Sequence, residues 1–285
     1  MIGYNRLGSN GRLGNQMFQY AGLRGIAANR GFDWKIPPPG DSYEANYGLF
    51  DCFKMGSVNE KNIGFVPQNF PTVKSQGFDF DEEFYNQCLD NVNLEDYFQT
   101  EKYFKNIEQI IREDFEFIDE YLNPCKEFIS SFDSEVIFLH VRRTDYVNLS
   151  KYHPVCSQKY YQDSLKEFDD ELPVLVFSDD IEWCKKQDIF SDDRFLFSEN
   201  QETFNHLHKD ADGEYRKSLL PYTDLCLMSL CSHAIIANSS MSWWGAWLIK
   251  NKHKKIIAPT PWFGPEGSHN NTKDLIPESW VVKEI

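Results

Sequence analysis

From Val136 onward, short runs of β-branched and aromatic residues alternate with stretches whose apolar positions recur at helical spacing. VIFLHV (136–141), VLVFS (174–178), AIIAN (234–238) and KIIAP (255–259) are continuous apolar runs, the pattern of strands buried on both faces. RFLF (194–197) is a further candidate strand. Between them QKYYQDSLKEF, IEWCKKQ, a stretch over about 219–232 and MSWWGAWLIK (241–250) read as helices, the first preceded by Ser157 in the N-cap position. Strands alternating with helices predict parallel βαβ units, which bind ligands beyond the C-terminal ends of their strands.

The first 75 residues have a different texture. A short opening strand feeds a Gly-rich turn and then a helix from about Asn15 to Asn29. Gly22 and Gly25 inside that helix predict close packing against a neighbour, since an exposed glycine there only costs stability. The stretch from Pro37 to Ser75 is weakly patterned and reads as loop. In residues 76–135, FDFDEEF, NLEDYF, IREDFEFIDEYL and KEFISSFDSE mix carboxylates with apolar residues at helix-compatible spacing, predicting amphipathic helices with a solvated acidic face.

A chain of 285 residues is long enough for about two domains with separate cores. The patterning places their boundary near 132, giving an N-terminal domain over 1–132 and a C-terminal one over 133–285, with the tail packing back on the first. The formal charge of −15 argues against a nucleic-acid partner. Most of it is local, because residues 76–135 hold 17 acidic and only 4 basic side chains. No signal-peptide h-region opens the chain and no apolar run approaches the ~20 residues of a bilayer span. The seven cysteines are scattered without a C-x-x-C pair, which indicates neither a disulfide framework nor a zinc site. A cytoplasmic protein, with room for peripheral association at the inner face of a membrane, fits these features.

Candidate chemistry gathers at the predicted strand ends. His140-Val-Arg142-Arg143-Thr-Asp145 leaves VIFLHV, and strand alternation puts His140 and Arg142 on one face. A guanidinium stays charged and grips phosphate bidentately, each charge-assisted bond contributing about 1.5–3 kcal/mol. Asp145 is placed to hold one arginine; the plainer alternative is a structural Arg–Asp pair. Asp224, near the start of an otherwise apolar helix, suits a cap or the paired N–H donors of a guanine. Ser239 and Ser240 follow AIIAN where a strand gives way to a helix, a natural anion site or an ordinary N-cap. Phe177-Ser178-Asp179-Asp180 ends another strand, with Asp179 or Asp180 also fit to cap the next helix. Trp243 and Trp247 share a helical face, the usual mark of core rather than of a sugar platform, and His233 reads as a structural histidine.

Two tempting signatures fail. Gly8, Gly11 and Gly14 are spaced G-x-x-G-x-x-G, neither the dinucleotide fingerprint nor a P-loop. The D-x-D pairs Asp79/Asp81 and Asp210/Asp212 are about as frequent as chance predicts for 23 aspartates, and neither sits at a predicted strand end.

Together GRLGNQMFQYA (11–21), HVRRTDY (140–146), VFSDD (176–180), NSSMSWWGAW (238–247) and TKDLIPESW (272–280) resemble the bacterial galactoside α-1,2-fucosyltransferases of glycosyltransferase family 11. One departure is Arg12, where that family often has a second glycine. The resemblance implies a GT-B type α/β fold, two Rossmann-like domains with a cleft between them, the N-terminal one mainly for acceptor and the C-terminal one for GDP-β-L-fucose. It implies inverting transfer to the 2-hydroxyl of a terminal β-galactoside in an oligosaccharide or lipid-linked glycan, releasing GDP, with no divalent metal or other cofactor. Arg142 matches the β-phosphate arginine, His140 a nucleotide contact, Asp224 the guanine-reading carboxylate, and Ser239 and Ser240 phosphate-side contacts. Arg143, Asn238, Ser178 and Asp179 complete the expected donor site, Asp145 is the candidate base, and Asn15, Gln16 and Trp243 fall on the acceptor side. Two other readings stay open: a fucosyltransferase of another linkage, α-1,6 or protein O-type, and a non-catalytic sugar-binding protein.

Overall fold

The computed structural model of the chain describes residues 1–40, 47–198, 204, 207 and 220–285. Its internal contacts define two compact units, Met1–Ile118 with Asn270–Pro277 and Asp119–His269 with Glu278–Ile285.

The first unit contains β1 (Ile2–Gly3), α1 (Leu13–Arg30), β2 (Trp34–Lys35), α2 (Leu49–Cys52), β3 (Thr72–Val73), α3 (Glu82–Gln87), β4 (Asn93–Leu94) and α4 (Glu108–Asp114). Its four strands are parallel in the order β2-β1-β4-β3. Helix α1 is buried from Leu13 to Ala27 save Asn15, so it is the central helix of the unit. Its glycines are packing residues, as expected: a Cβ on Gly25 would lie 1.8 Å from the Tyr103 carbonyl oxygen, and one on Gly22 2.6 Å from Phe98 Cβ. Gly31 ends the helix in the left-handed conformation at φ 68°.

Two expectations for the acidic segment do not hold. NLEDYF is not helical, because Asn93 pairs with Gly3 and Leu94 with Val73 in the sheet, and both are buried. IREDFEFIDEYL is broken after Asp114. That carboxylate is fully buried, accepting from Tyr20 Oη (2.7 Å), Ser57 N (2.7 Å) and Arg24 Nη1 (2.8 Å), while Phe117 bridges to Phe53. Tertiary partners for the aspartate outweigh continuation of the helix.

The second unit runs α5 (Asp119–Ser130), β5 (Ile137–Val141), α6 (Thr144–Asn148), α7 (Gln158–Leu165), β6 (Val174–Ser178), α8 (Ile181–Cys184), β7 (Phe195–Phe197), α9 (Leu220–Leu230), β8 (His233–Ile235), α10 (Ser240–Leu248), β9 (Ile256–Thr260) and β10 (Val281–Glu284). All six strands are parallel in the order β10-β9-β8-β5-β6-β7. Helix α5, placed by the patterning before the boundary, groups here because Tyr121 meets Tyr222 edge-on at 5.9 Å and Cys125 Sγ points at the Thr223 carbonyl. The Ser157 cap forms as expected, its hydroxyl accepting from Tyr160 N. Ile137, Leu139, Val174, Val176, Tyr160 and Tyr161 build the core on one face of the sheet. Edge strand β10 carries exposed Val281 and Val282, and no alternation marks it in the sequence.

The α/β expectation therefore holds, with each unit built on its own parallel sheet. Among the described residues no helix is long and apolar enough to cross a membrane, and all seven cysteines are buried free thiols.

Candidate active site

In the six-stranded sheet the chain winds outward from β5 through β6 to β7, then returns to the other side of β5 as β8 and winds the opposite way. The reversal between β5 and β8 is the topological switch point, where doubly wound sheets open a crevice beyond the strand ends. Beyond β5 stand Arg142 and Arg143. Beyond β8 the chain passes Asn238 to Ser239 and Ser240, and β6 ends at Ser178 before Asp179 and Asp180.

Carboxylates from two places converge on Arg142. Its Nη2 lies 2.7 and 2.8 Å from the two oxygens of Asp145, and its Nη1 3.1 Å from Asp179 Oδ2. The guanidinium also sits 5.4 Å from the Tyr146 ring centroid, and these anions, Asp179 foremost, outweigh burial to hold its pKa above the usual arginine value. Arg143 lies flat on Trp183, 3.7 Å from the ring centroid, with Nε 3.3 Å from Asp180 Oδ2. Both arginines keep about a fifth of their side-chain surface accessible, so they are fixed yet reachable.

Asp179 is the busiest group in the site. Its Oδ1 accepts the Arg143 backbone N–H at 2.9 Å, and its Oδ2 accepts the Thr144 N–H at 3.2 Å and the Thr144 hydroxyl. Asp180 takes the helix-cap role, accepting from Trp183 N, and the Ser178 hydroxyl is engaged within the same turn by the Asp180 N–H at 2.9 Å.

Asn238, expected to touch the donor, is 2% exposed and works as a brace. Its amide donates to the Pro154 and Trp262 carbonyls at 2.9 and 3.0 Å, and its own carbonyl accepts from Tyr146 Oη at 3.0 Å. Ser239 occupies the N-cap of α10, but its hydroxyl makes no capping bond; Ser239 and Ser240 are half-buried where that helix begins. Asp224 is half-buried in the second turn of α9. Since only Cys231 and Ser232 join α9 to β8, the helix runs antiparallel to the strands and its first turns lie toward their C-terminal ends. His140 is 5% exposed, its Nδ1 buried without a hydrogen-bond partner; burial first, then Arg142, pushes its pKa down to about 4.

Trp243 is not presented to a ligand. It is fully buried, stacked with Trp247 at 6.3 Å and packed against Trp244 and Trp280, so the tryptophan stripe is core. In the first unit Gln16 is likewise buried, donating to the Gly11 carbonyl and accepting from Gly48 N, while half-buried Asn15 accepts from Gln99 Nε2. His233 is structural, its ring nitrogens meeting Lys255 N and Glu135. Asp79 accepts from Lys273 and Asn271 and Asp81 caps α3, so the first D-x-D pair is engaged in the fold. Asp210 and Asp212 lie outside the described residues. Among the described residues no three His, Cys, Asp or Glu side chains gather to hold a metal ion.

The sequence reading missed Thr144, Tyr146, Trp183 and His153. The first two lie inside HVRRTDY; Trp183 shows only a helical apolar position, and His153, stacked on Tyr146 at 4.7 Å, lies in a stretch without periodicity.

The family model described as glycosyl transferase family 11 matches residues 1–282. An α-1,2-colitosyltransferase of Escherichia coli is 34% identical, over 95% of this chain and 96% of that one. The O-antigen biosynthesis glycosyltransferase WbnK of Escherichia coli is 30% identical over 95% and 98%. A galactoside 2-alpha-L-fucosyltransferase, SEC1 of Bos taurus, is 25% identical over 85% of this chain and 63% of its own. Among solved structures, POFUT1 in complex with GDP superposes with a TM-score of 0.51 at 12% identity, covering 90% of this chain and 97% of that one. NodZ alpha-1,6-fucosyltransferase soaked with GDP-fucose gives 0.50 at 14%, covering 87% and 92%. Those two likenesses concern the fold alone. The match to the family model along almost the whole chain, with end-to-end relatives at 30% identity and above, makes this chain a glycosyltransferase of family 11.

Proposed function

We propose that the chain transfers L-fucose from GDP-β-L-fucose to the 2-hydroxyl of a terminal β-galactoside, with inversion to an α-1,2 linkage. The observation that carries this reading is Arg142 at the switch point, braced from two sides and reachable. As the acceptor oxygen bonds to the sugar's anomeric carbon, the bond from that carbon to GDP breaks and negative charge gathers on the departing diphosphate. A fixed guanidinium aimed there stabilises the transition state more than the ground state, which is what raises the rate. Ser239 and Ser240 would add hydroxyl and backbone donors to the same oxygens, His140 and Asp224 would contact the nucleotide, and no divalent cation is required.

Asp145 has the lesser claim as base in this scheme. Both of its oxygens face Arg142, at 2.7 and 2.8 Å from Nη2, so the carboxylate is engaged with the arginine. The likeness to the bovine 2-alpha-L-fucosyltransferase supports a galactoside acceptor, and that to WbnK supports an O-antigen oligosaccharide as its carrier. The colitosyltransferase relative favours a second reading of the donor alone: colitose, which is fucose without its 3-hydroxyl, joined by the same linkage. Purified protein given GDP-fucose or GDP-colitose with a panel of β-galactosides, in the presence of EDTA, is expected to release GDP and form the α-1,2 product. Whichever donor has the higher kcat/KM decides between the sugars. Absence of product with both donors, or strict Mn²⁺ dependence, overturns the proposal.

A further inference from the structure

Asp179 was expected to bind the donor, and the structure shows its carboxylate engaged mainly with the turn that follows β5. Its carboxylate meets four donors: Oδ1 accepts the Arg143 backbone N–H, while Oδ2 accepts the Thr144 N–H and hydroxyl and pairs with Arg142 Nη1 at 3.1 Å. All four donors come from the turn that leaves β5, whereas Asp179 itself follows β6. Helix α6 starts in that turn with Arg143 as N-cap and without a capping bond from the Arg143 side chain. The cap is supplied from the neighbouring strand instead.

We propose that Asp179 is a positioning residue: its carboxylate closes the turn after β5 and sets the direction of the Arg142 guanidinium, and it acts on the donor through Arg142 without touching it. This rests on the reading of Arg142 as the diphosphate-binding group. Asp145 cannot replace it. That carboxylate is on the same turn as Arg142, three residues on, so it moves with the turn and does not anchor it to the sheet, and it is 43% exposed against 18% for Asp179. Asp180 is directed elsewhere, to Arg143 Nε and the start of α8. Asp179 is thus the carboxylate that ties the guanidinium to a second strand of the sheet. An arginine has several rotatable bonds, and without such a tie it samples directions in which it cannot meet a diphosphate. Pre-orientation of this kind appears in affinity for the group the arginine grips and in the transfer rate.

The test is a cycle of four proteins, wild type, Asp179→Asn, Arg142→Ala and the double variant, each measured for GDP affinity, GMP affinity and transfer rate. Asparagine keeps the size of the side chain but puts an amide N–H₂ where one of the four donors now finds an oxygen. Asp179→Asn is expected to weaken GDP at least tenfold and to slow transfer by a similar factor, while GMP, which lacks the β-phosphate, binds within about twofold of wild type. In the Arg142→Ala background the same change is expected to cost less than twofold. Losses that multiply in the double variant, or equal losses for GDP and GMP, would show that Asp179 acts independently of Arg142 and overturn the proposal while leaving the Arg142 reading standing. Near-normal GDP affinity and turnover in Arg142→Ala would instead remove the Arg142 reading, and the proposal with it. Should Asp179→Asn melt much earlier than wild type, Thr144→Val offers the milder perturbation. It removes one of the four donors and is expected to lower GDP affinity in the same Arg142-dependent way; no loss of GDP affinity, or a loss that persists in the Arg142→Ala background, counts against the proposal.

Discussion

His140 illustrates how much one buried side chain contributes to the pH response. Its imidazole has an ordinary pKa of 6.5 and is held down to about 4, chiefly because burial disfavours the cation and then because Arg142 stands nearby. Between those values the unfolded chain binds a proton that the folded chain refuses. Stability is therefore complete above pH 6.5 and falls as the pH drops toward 4, by about 3 kcal/mol for this group. Urea melts across that range should show a shallower acid limb for His140→Gln than for wild type; identical limbs would mean that the folded chain accepts the proton. The arginine pair was legible in the sequence because two cations at a strand exit stand out in an acidic protein. What each neighbour does was not. Whether Asp179 or Asp180 caps α8, and whether Asn238 faces a ligand or braces two loops, depends on contacts between residues as much as 92 positions apart, which no local pattern encodes.

Among the elements, α1 allows a sharp contrast between two glycines. Gly25→Ala drives a methyl group into the Tyr103 carbonyl and should cost about 3 kcal/mol or more, as overpacking of a rigid contact does. Gly31→Asn faces open space at a φ that asparagine tolerates and should cost under about 1 kcal/mol. Thermal melts of the two variants measure the difference, and equal shifts would refute the packing role of Gly25. The strands of the second unit other than the edge strand β10 were readable because parallel strands covered on both faces become continuous apolar runs. In the first unit only the opening strand β1 was read, since β2, β3 and β4 are two residues each and carry no period. NLEDYF was misread for a related reason: its aromatic and acidic spacing suits a helix, and only pairing with β1 and β3 selects the extended form.

For the molecule as a whole, the charge of −15 argues against a polyanion but not against an anion as small as a nucleotide, because cations at one strand end act over a few ångströms and distant carboxylates are screened. The chain also passes from the first unit to the second twice. Residues 270–277 return to the first unit, where Asp274 accepts from Phe80 N at 3.2 Å and Lys102 at 2.6 Å and Lys273 meets Asp79 at 2.7 Å, before the chain completes the second sheet with β10. A chain ending at His269 should therefore be cut by protease faster than wild type in both units, and protection of either one would contradict their shared dependence on the tail. This threading sets a rule for recombination within the family. Exchanging residues 1–118 for those of a relative splits one unit between two parents unless residues 270–277 travel with them; the unit of exchange is discontinuous, and a single crossover cannot deliver it.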